Sequence, residues 1–223
     1  MAGLESDSPK KNPLTAEHTI YKIGRERVPS VTGIIGTNLG WKWPALMGWQ
    51  RKMFRQGIDP DAAASEAGTV GTLVHMLIHS ALTGEPVPDR FFSKEQREIA
   101  DRALIGFWEW WKENKIEPIY VERPLTHTRL RYGGTIDLWC KKGKKYLLAD
   151  WKSSSAVFVD HRIQLAAYSE LINHRIGKPH DRIIFHLDKN TGQFTPHPFV
   201  DLKSEMEVFL LCLKLQKIRS RIS

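Results

Sequence analysis

Two apolar runs, RLRYGGTIDLWC (129–140) and KYLLADWKS (145–153), stand on either side of the basic segment KKGKK. Each reads as a strand, and the segment between them reads as a hairpin turn. Each strand also carries ionisable groups, Asp137 in the first and Asp150 and Lys152 at the end of the second. Such groups on an interior strand are costly unless a site needs them. Residues i and i+2 of a strand share a face, roughly 6 to 7 Å apart, so Asp150 and Lys152 project side by side. An even-numbered loop centred on Lys142 and Gly143 sets Asp137 opposite Leu148. Pleat parity then puts Asp137, Leu148, Asp150 and Lys152 on one face, whereas an odd loop turns Asp137 away.

Two carboxylates converging from neighbouring strands make a hard-oxygen site suited to Mg²⁺ or Mn²⁺. A lysine beside them can orient or deprotonate a water, or neutralise charge on a phosphate. The plain alternative is an Asp–Lys ion pair at a strand end. Three further features bear on the choice. Gly133 and Gly134 precede Asp137 where a strand must bend or admit another backbone. Gln164 and Tyr168 lie at i and i+4 on the helix that follows the lysine and share a face of it. His75 lies in GTLVH, inside an earlier helical segment.

The hairpin sits in a chain with a regular order of elements. Residues 1 to 17 read as a polar tail, and 18 to 223 as a single domain. RVPSVTGIIG (27–36) is a short β-prone segment. GWKWPALMGWQRKMFRQG (40–57) is helical after Pro44, 59–85 is one or two helices closed by Gly84, and 93–115 has helical periodicity. EPIYVERPL (117–125) joins the hairpin as a third strand. Residues 160–177 form a helix with Asp160 as candidate N-cap and Gly177 as candidate C-cap residue. DRIIFHL and GQFTPHPF flank DKNTG as a second hairpin, and 201–222 is a closing amphipathic helix. The expected fold is therefore mixed α/β: a mostly helical part to residue 115, a sheet core over 116–200 and a helix after it, with the sheet flanked by helices.

Composition narrows the function. The 223 residues carry a net charge of +8, for which nucleic acid is the leading polyanionic partner. No run approaches the 18 or so apolar residues of a membrane span. The N-terminus has no apolar signal core, so a cytoplasmic location is expected, in a bacterium or a phage-infected host cell. Two cysteines, Cys140 and Cys212, are too few for a disulfide framework, a Cys₄ zinc site or an iron–sulfur cluster.

GTIDL, LLADWKSS and QLAAY, in that order and spacing, resemble the RecB-like exonuclease branch of the PD-(D/E)XK nuclease superfamily. SVTGII and GTLVH resemble the helical N-terminal region of that branch, and the likeness spans roughly residues 28 to 190. The resemblance implies a restriction-endonuclease-like α/β core and a metal-dependent DNA exonuclease, and the helical part over 40–115, as an arch over the site, favours action on single-stranded ends. DNA recombination, repair, replication or phage DNA processing would be its setting. It places Asp137 and Asp150 as the two motif acids and Lys152 as the motif lysine. His75 and the Trp151 backbone carbonyl join the acids around one or two Mg²⁺ or Mn²⁺ ions. An imidazole in the set leans towards Mn²⁺. Gln164 and Tyr168 help to hold DNA, with Ser153 and Ser154 at the strand exit as further phosphate contacts, and Glu122 is an additional acid on the preceding strand. The rivals are an endonuclease of the same fold and a catalytically silent nucleic-acid-binding module. Protein partners are not legible.

Other motifs weigh less. His75 and His79 have the i, i+4 spacing of a zinc pair but lack the glutamate of HExxH. GTVGT (68–72) lacks the Gly-Lys-Ser/Thr ending of a phosphate-binding loop. Trp108, Trp110 and Trp111 read as core. Trp41, Trp43 and Trp49 interleave with Lys42, Arg51, Lys52 and Arg55 as single-strand binding surfaces do, although packing of a short helix on the domain is the plainer expectation.

Overall fold

A computed structural model describes residues 19–87, 92–188, 191 and 193–222. The polar tail and most of the DKNTG turn lie outside the described residues. A two-strand hairpin, β1 (Lys22–Ile23) and β2 (Glu26–Arg27), leads into helix α1 (Val31–Asn38). Helices α2 (Trp43–Arg55), α3 (Pro60–Thr83) and α4 (Lys94–Asn114) follow. The sheet then forms from β3 (Ile116–His127), β4 (Tyr132–Lys142), β5 (Lys145–Lys152), β6 (Asp181–Leu187) and β7 (Phe194–Pro198), in that spatial order. Helix α5 (Val159–Arg175) crosses from β5 to β6, and α6 (Lys203–Ile222) closes the chain. The β5–β6 pair is parallel and the other pairs are antiparallel. Only a parallel pair needs a long crossover, and α5 supplies it.

Each face of the sheet has its own core. On one face Trp139, Leu148 and Ile184 pack with α1, α5 and α6 through Ile34, Leu171 and Phe209. On the other, Leu138, Ala149, Trp151 and Phe185 pack with α3 and α4 through Leu73, Ile78 and Phe107. The result is the mixed α/β architecture expected, a sheet between helical layers. Trp108, Trp110 and Trp111 pack against the second core, as their helical spacing suggests.

Several local expectations are corrected. The β-prone segment 27–36 is mostly α1. The Ser30 hydroxyl accepts from Gly33 N at 3.0 Å, and Val31, Ile34 and Ile35 fall on the buried face. Capping and burial outweigh the weak strand preference of β-branched residues. Asp160 does not cap α5. The N-cap is Phe158, whose N–H donates to His161 Nδ1 at 3.2 Å. Asp160 lies in the first turn, where a carboxylate suits the helix dipole, and it pairs with Lys42 at 3.3 Å. The hairpin closes one residue later than expected. Lys142 pairs with Lys145, and Gly143 takes the positive φ (60°) that a two-residue turn with glycine first requires. The loop is still even. Leu148 therefore pairs with Trp139 rather than Asp137, and the ladder ends at Leu138 and Ala149. The expected single face of Asp137, Leu148, Asp150 and Lys152 does not form, because Asp137 turns towards His75 on α3.

Helix α2 does not dock as expected. It buries none of its residues, and Trp41 and Trp43 are 64% and 59% exposed. Helix α3 is one uninterrupted helix, capped by Asp59 and ended by Gly84 in the left-handed region.

Candidate active site

The site forms where β4 and β5 run side by side beneath α3. Strand alternation puts Ile136 and Leu138 on one face, yet Ile136 packs in the α5-side core and Leu138 in the α3-side core. The switch falls at Asp137. Across from it on β3, Glu122 has φ 48°, a left-handed conformation that non-glycine residues adopt only under constraint. This irregular step brings two acids from neighbouring strands towards α3. Asp137 is 6% exposed, and its Oδ2 accepts from Trp151 N at 3.0 Å.

His75 on α3 completes the group. Its Nδ1 lies 3.4 Å from Glu122 Oε1 and its Nε2 lies 3.2 Å from the Trp151 carbonyl oxygen. One ligand atom each from His75, Glu122 and Asp137 fall within 4.8 Å of one another. Both ring nitrogens thus face oxygen acceptors, although a neutral imidazole has only one N–H. Burial disfavours a charge on His75, but the Glu122 hydrogen bond and the nearby carboxylates hold its pKa above the usual value.

Asp150 is fully buried on β5. Its Oδ2 lies 2.5 Å from Lys152 Nζ yet makes no hydrogen bond of sound geometry. Burial pushes the Asp150 carboxyl up to about 6 against the opposing pull of Lys152. Burial likewise raises Asp137, with His75 opposing. Burial alone would lower Lys152, but Asp150 and Asp137 hold it above the ordinary lysine value. The paired acids thus favour the charged form of Lys152.

Gln164 Nε2 donates to Asp150 Oδ1 at 3.4 Å and to the Tyr168 hydroxyl at 3.0 Å. Tyr168 itself is 4% exposed. Its hydroxyl is held by Gln164. The two glycines of β4 explain how the ring fits. A Cβ on Gly134 would stand 2.6 Å from Tyr168 Cε1, and one on Gly133 would stand 2.3 Å from the Tyr21 ring. Tyr21, whose hydroxyl bonds to Thr135 Oγ1 at 2.8 Å, was not legible as a neighbour of the site. It is distant in sequence and belongs to no motif.

A cleft of about 610 Å³ opens over these groups, lined by Gly71, His75, Glu122, Trp151, Lys152 and Ser153 among others. Ser154 also lines it, but its hydroxyl donates to Ala156 O at 2.7 Å. His79 points to Glu85 and stands outside the metal-ligand group. The donor set fits a divalent cation. It offers hard carboxylate oxygens, one imidazole, a backbone carbonyl and a buried carboxylate oxygen without a good hydrogen bond.

This arrangement has a known counterpart. The family model of the PD-(D/E)XK nuclease superfamily matches residues 46–214, and the chain belongs to that superfamily. It is a nuclease by family, with nucleic acid as the corresponding substrate. No curated protein matches it in sequence. Similar solved structures include SSO0001, at 13% identity and TM-score 0.41, covering 87% of this chain and 79% of that one. A candidate exonuclease from Eubacterium rectale is 14% identical at TM-score 0.48, covering 67% and 65%. The alkaline exonuclease LHK-Exo from Laribacter hongkongensis is 16% identical at TM-score 0.34, covering 68% and 85%. Both cysteines are free, and no helix among the described residues is long and apolar enough to cross a membrane.

Proposed function

We propose that the protein is a divalent-metal-dependent deoxyribonuclease that hydrolyses phosphodiester bonds from single-stranded DNA ends. DNA recombination, repair, replication or phage DNA processing is the proposed setting. The observation that carries this reading is the clustering of His75, Glu122, Asp137 and the Trp151 carbonyl beside the Asp150–Lys152 pair.

His75, Glu122, Asp137 and the Trp151 carbonyl would hold Mg²⁺ or Mn²⁺, with Asp150 beside them as the further acid. A cation held there would supply a water of lowered pKa and compensation for negative charge at phosphorus. Lys152, charged and fixed by Asp150, orients the attacking water and balances charge on the phosphate oxygens. Gln164, steadied by Tyr168, holds Asp150 and faces the strand. Of the two serines, Ser153 is better placed to donate to a phosphate, because the Ser154 hydroxyl is already engaged.

Among the described residues, helix α4 packs with α3 in one core of the sheet, and α2 buries none of its residues and is free to close over a strand. Exonuclease action is therefore tested directly, on end-labelled linear and circular single-stranded DNA with Mn²⁺, Mg²⁺ or EDTA. Loss of linear DNA only, blocked by EDTA, is the expected result. Cutting of circles indicates an endonuclease. DNA binding without cleavage under either metal indicates a binding module and overturns the proposal.

A further inference from the structure

A second cleft, of about 710 Å³, adjoins the first. Trp41, Leu46, Trp49, Ser154, Ser155 and Phe158 are among the residues that line it. Those serines continue the chain from Lys152, so the apolar cleft begins where the catalytic cleft ends. Ser154 lines both. Its volume falls within the roughly 300–1,000 Å³ of small-ligand sites. Trp41 is 64% exposed and Phe158 is 47% exposed, a large aromatic surface to leave in water.

The charges around it select the occupant. From Trp41 to Gln56 the chain has four cations, Lys42, Arg51, Lys52 and Arg55, and no acid. Arg51, Lys52 and Arg55 are exposed on α2. Of the four cations, Lys42 lines the groove and pairs there with Asp160 at 3.3 Å, while the other three are not among its lining residues. Exposed aromatic side chains with free-standing cations on the same helix match a strand with stacking bases and an anionic backbone. An apolar protein partner would not need the cations, and a duplex would keep its bases inside the stack and away from the rings.

We infer that the Trp41–Trp49–Phe158 groove is a base-stacking subsite that takes nucleotides of a single strand flanking the bond held over Lys152. This inference rests on the nuclease reading and adds to it the reason for a single-strand preference. The bases would be gripped without regard to sequence, because every base offers a stacking face.

The test is binding rather than cleavage, with Lys152→Ala as the background so that the probe survives. A fluorescein-labelled oligothymidylate is compared with an abasic oligomer of the same length and charge. The base-bearing strand should bind more tightly, by roughly 5- to 150-fold for each stacked base. Adding Trp41→Ala should remove most of that preference while leaving the abasic affinity in place, and Trp41→Phe should keep it. Equal affinity for the two oligomers overturns the inference. So does an equal loss for both in Trp41→Ala, or a protein dimer in sedimentation that Trp41→Ala separates, which would make the groove a contact between copies. Failure of the nuclease reading shows separately, as absent cleavage by the unsubstituted protein.

Discussion

On the α5 side of the cleft, Asp150, Lys152, Gln164 and Tyr168 come from one continuous strand–helix unit. On the α3 side, Glu122 and Asp137 come from the paired strands β3 and β4, and His75 comes from α3, 47 residues before Glu122. The first group is tied by contacts between its own side chains: Asp150 to Lys152, Gln164 to Asp150, and Gln164 to Tyr168. The second is a ring of acceptors around an imidazole, with an irregular step at Glu122. The α5 half is already assembled, whereas the α3 half has oxygens and an imidazole facing one another and gains most from a cation between them.

The largest expected effect breaks the α5 half. Lys152→Ala should cut the turnover of linear DNA roughly 10²–10³-fold, the usual loss when one preorganised charge is removed. A circular-dichroism melt of the same variant separates this loss from unfolding. Retained turnover would mean that the ion pair is structural.

The next effect sharpens the contrast through pH. Burial raises the carboxyls of Asp137 and Asp150 in the folded chain, Asp150 to about 6. For each, the stability gained from protonation is complete below the unfolded value near 4 and is lost as pH rises through the folded one. A cation competes with those protons. Mn²⁺ at about 100 times its dissociation constant should add roughly 2.7 kcal/mol at pH 8. That corresponds to some 5–10 °C in Tm, roughly, for a chain of this length. At pH 5 the gain should be much smaller. A gain independent of pH would place the ion away from these carboxyls.

The smallest effects compare packing. Gly134→Ala drives a methyl into the buried Tyr168 ring and should cost about 1–3 kcal/mol in urea unfolding. Gly71→Ala meets only the Ser153 hydroxyl, at 2.6 Å, which can turn aside. It should cost less than about 1 kcal/mol. Equal costs would mean that the α3 half is packed as tightly as the α5 half.

The same division explains what the sequence reveals. Asp150 and Lys152 are two residues apart on a strand, and Gln164 and Tyr168 four apart on a helix, so their shared faces follow from backbone periodicity alone. Glu122 is different. Its approach to His75 depends on a positive φ that no residue type at that position signals. Tyr21 reaches the site only because Gly133 leaves room for its ring. The α1 segment looks like a strand because its β-branched residues are visible, while the burial that makes it a helix is not. The exposure of Trp41 and Trp43 is a tertiary outcome too, since aromatic residues at helical spacing more often mark a buried face.

The central claim is that the two halves hold one cation together. The most direct measurement is a Mn²⁺ titration followed by electron paramagnetic resonance, on the unsubstituted protein and on His75→Ala, Glu122→Gln and Asp150→Asn. The account predicts saturable Mn²⁺ binding that weakens in variants from both halves, by about 10- to 100-fold each. Binding unchanged by His75→Ala or by Asp150→Asn, or no saturable binding at all, would contradict it.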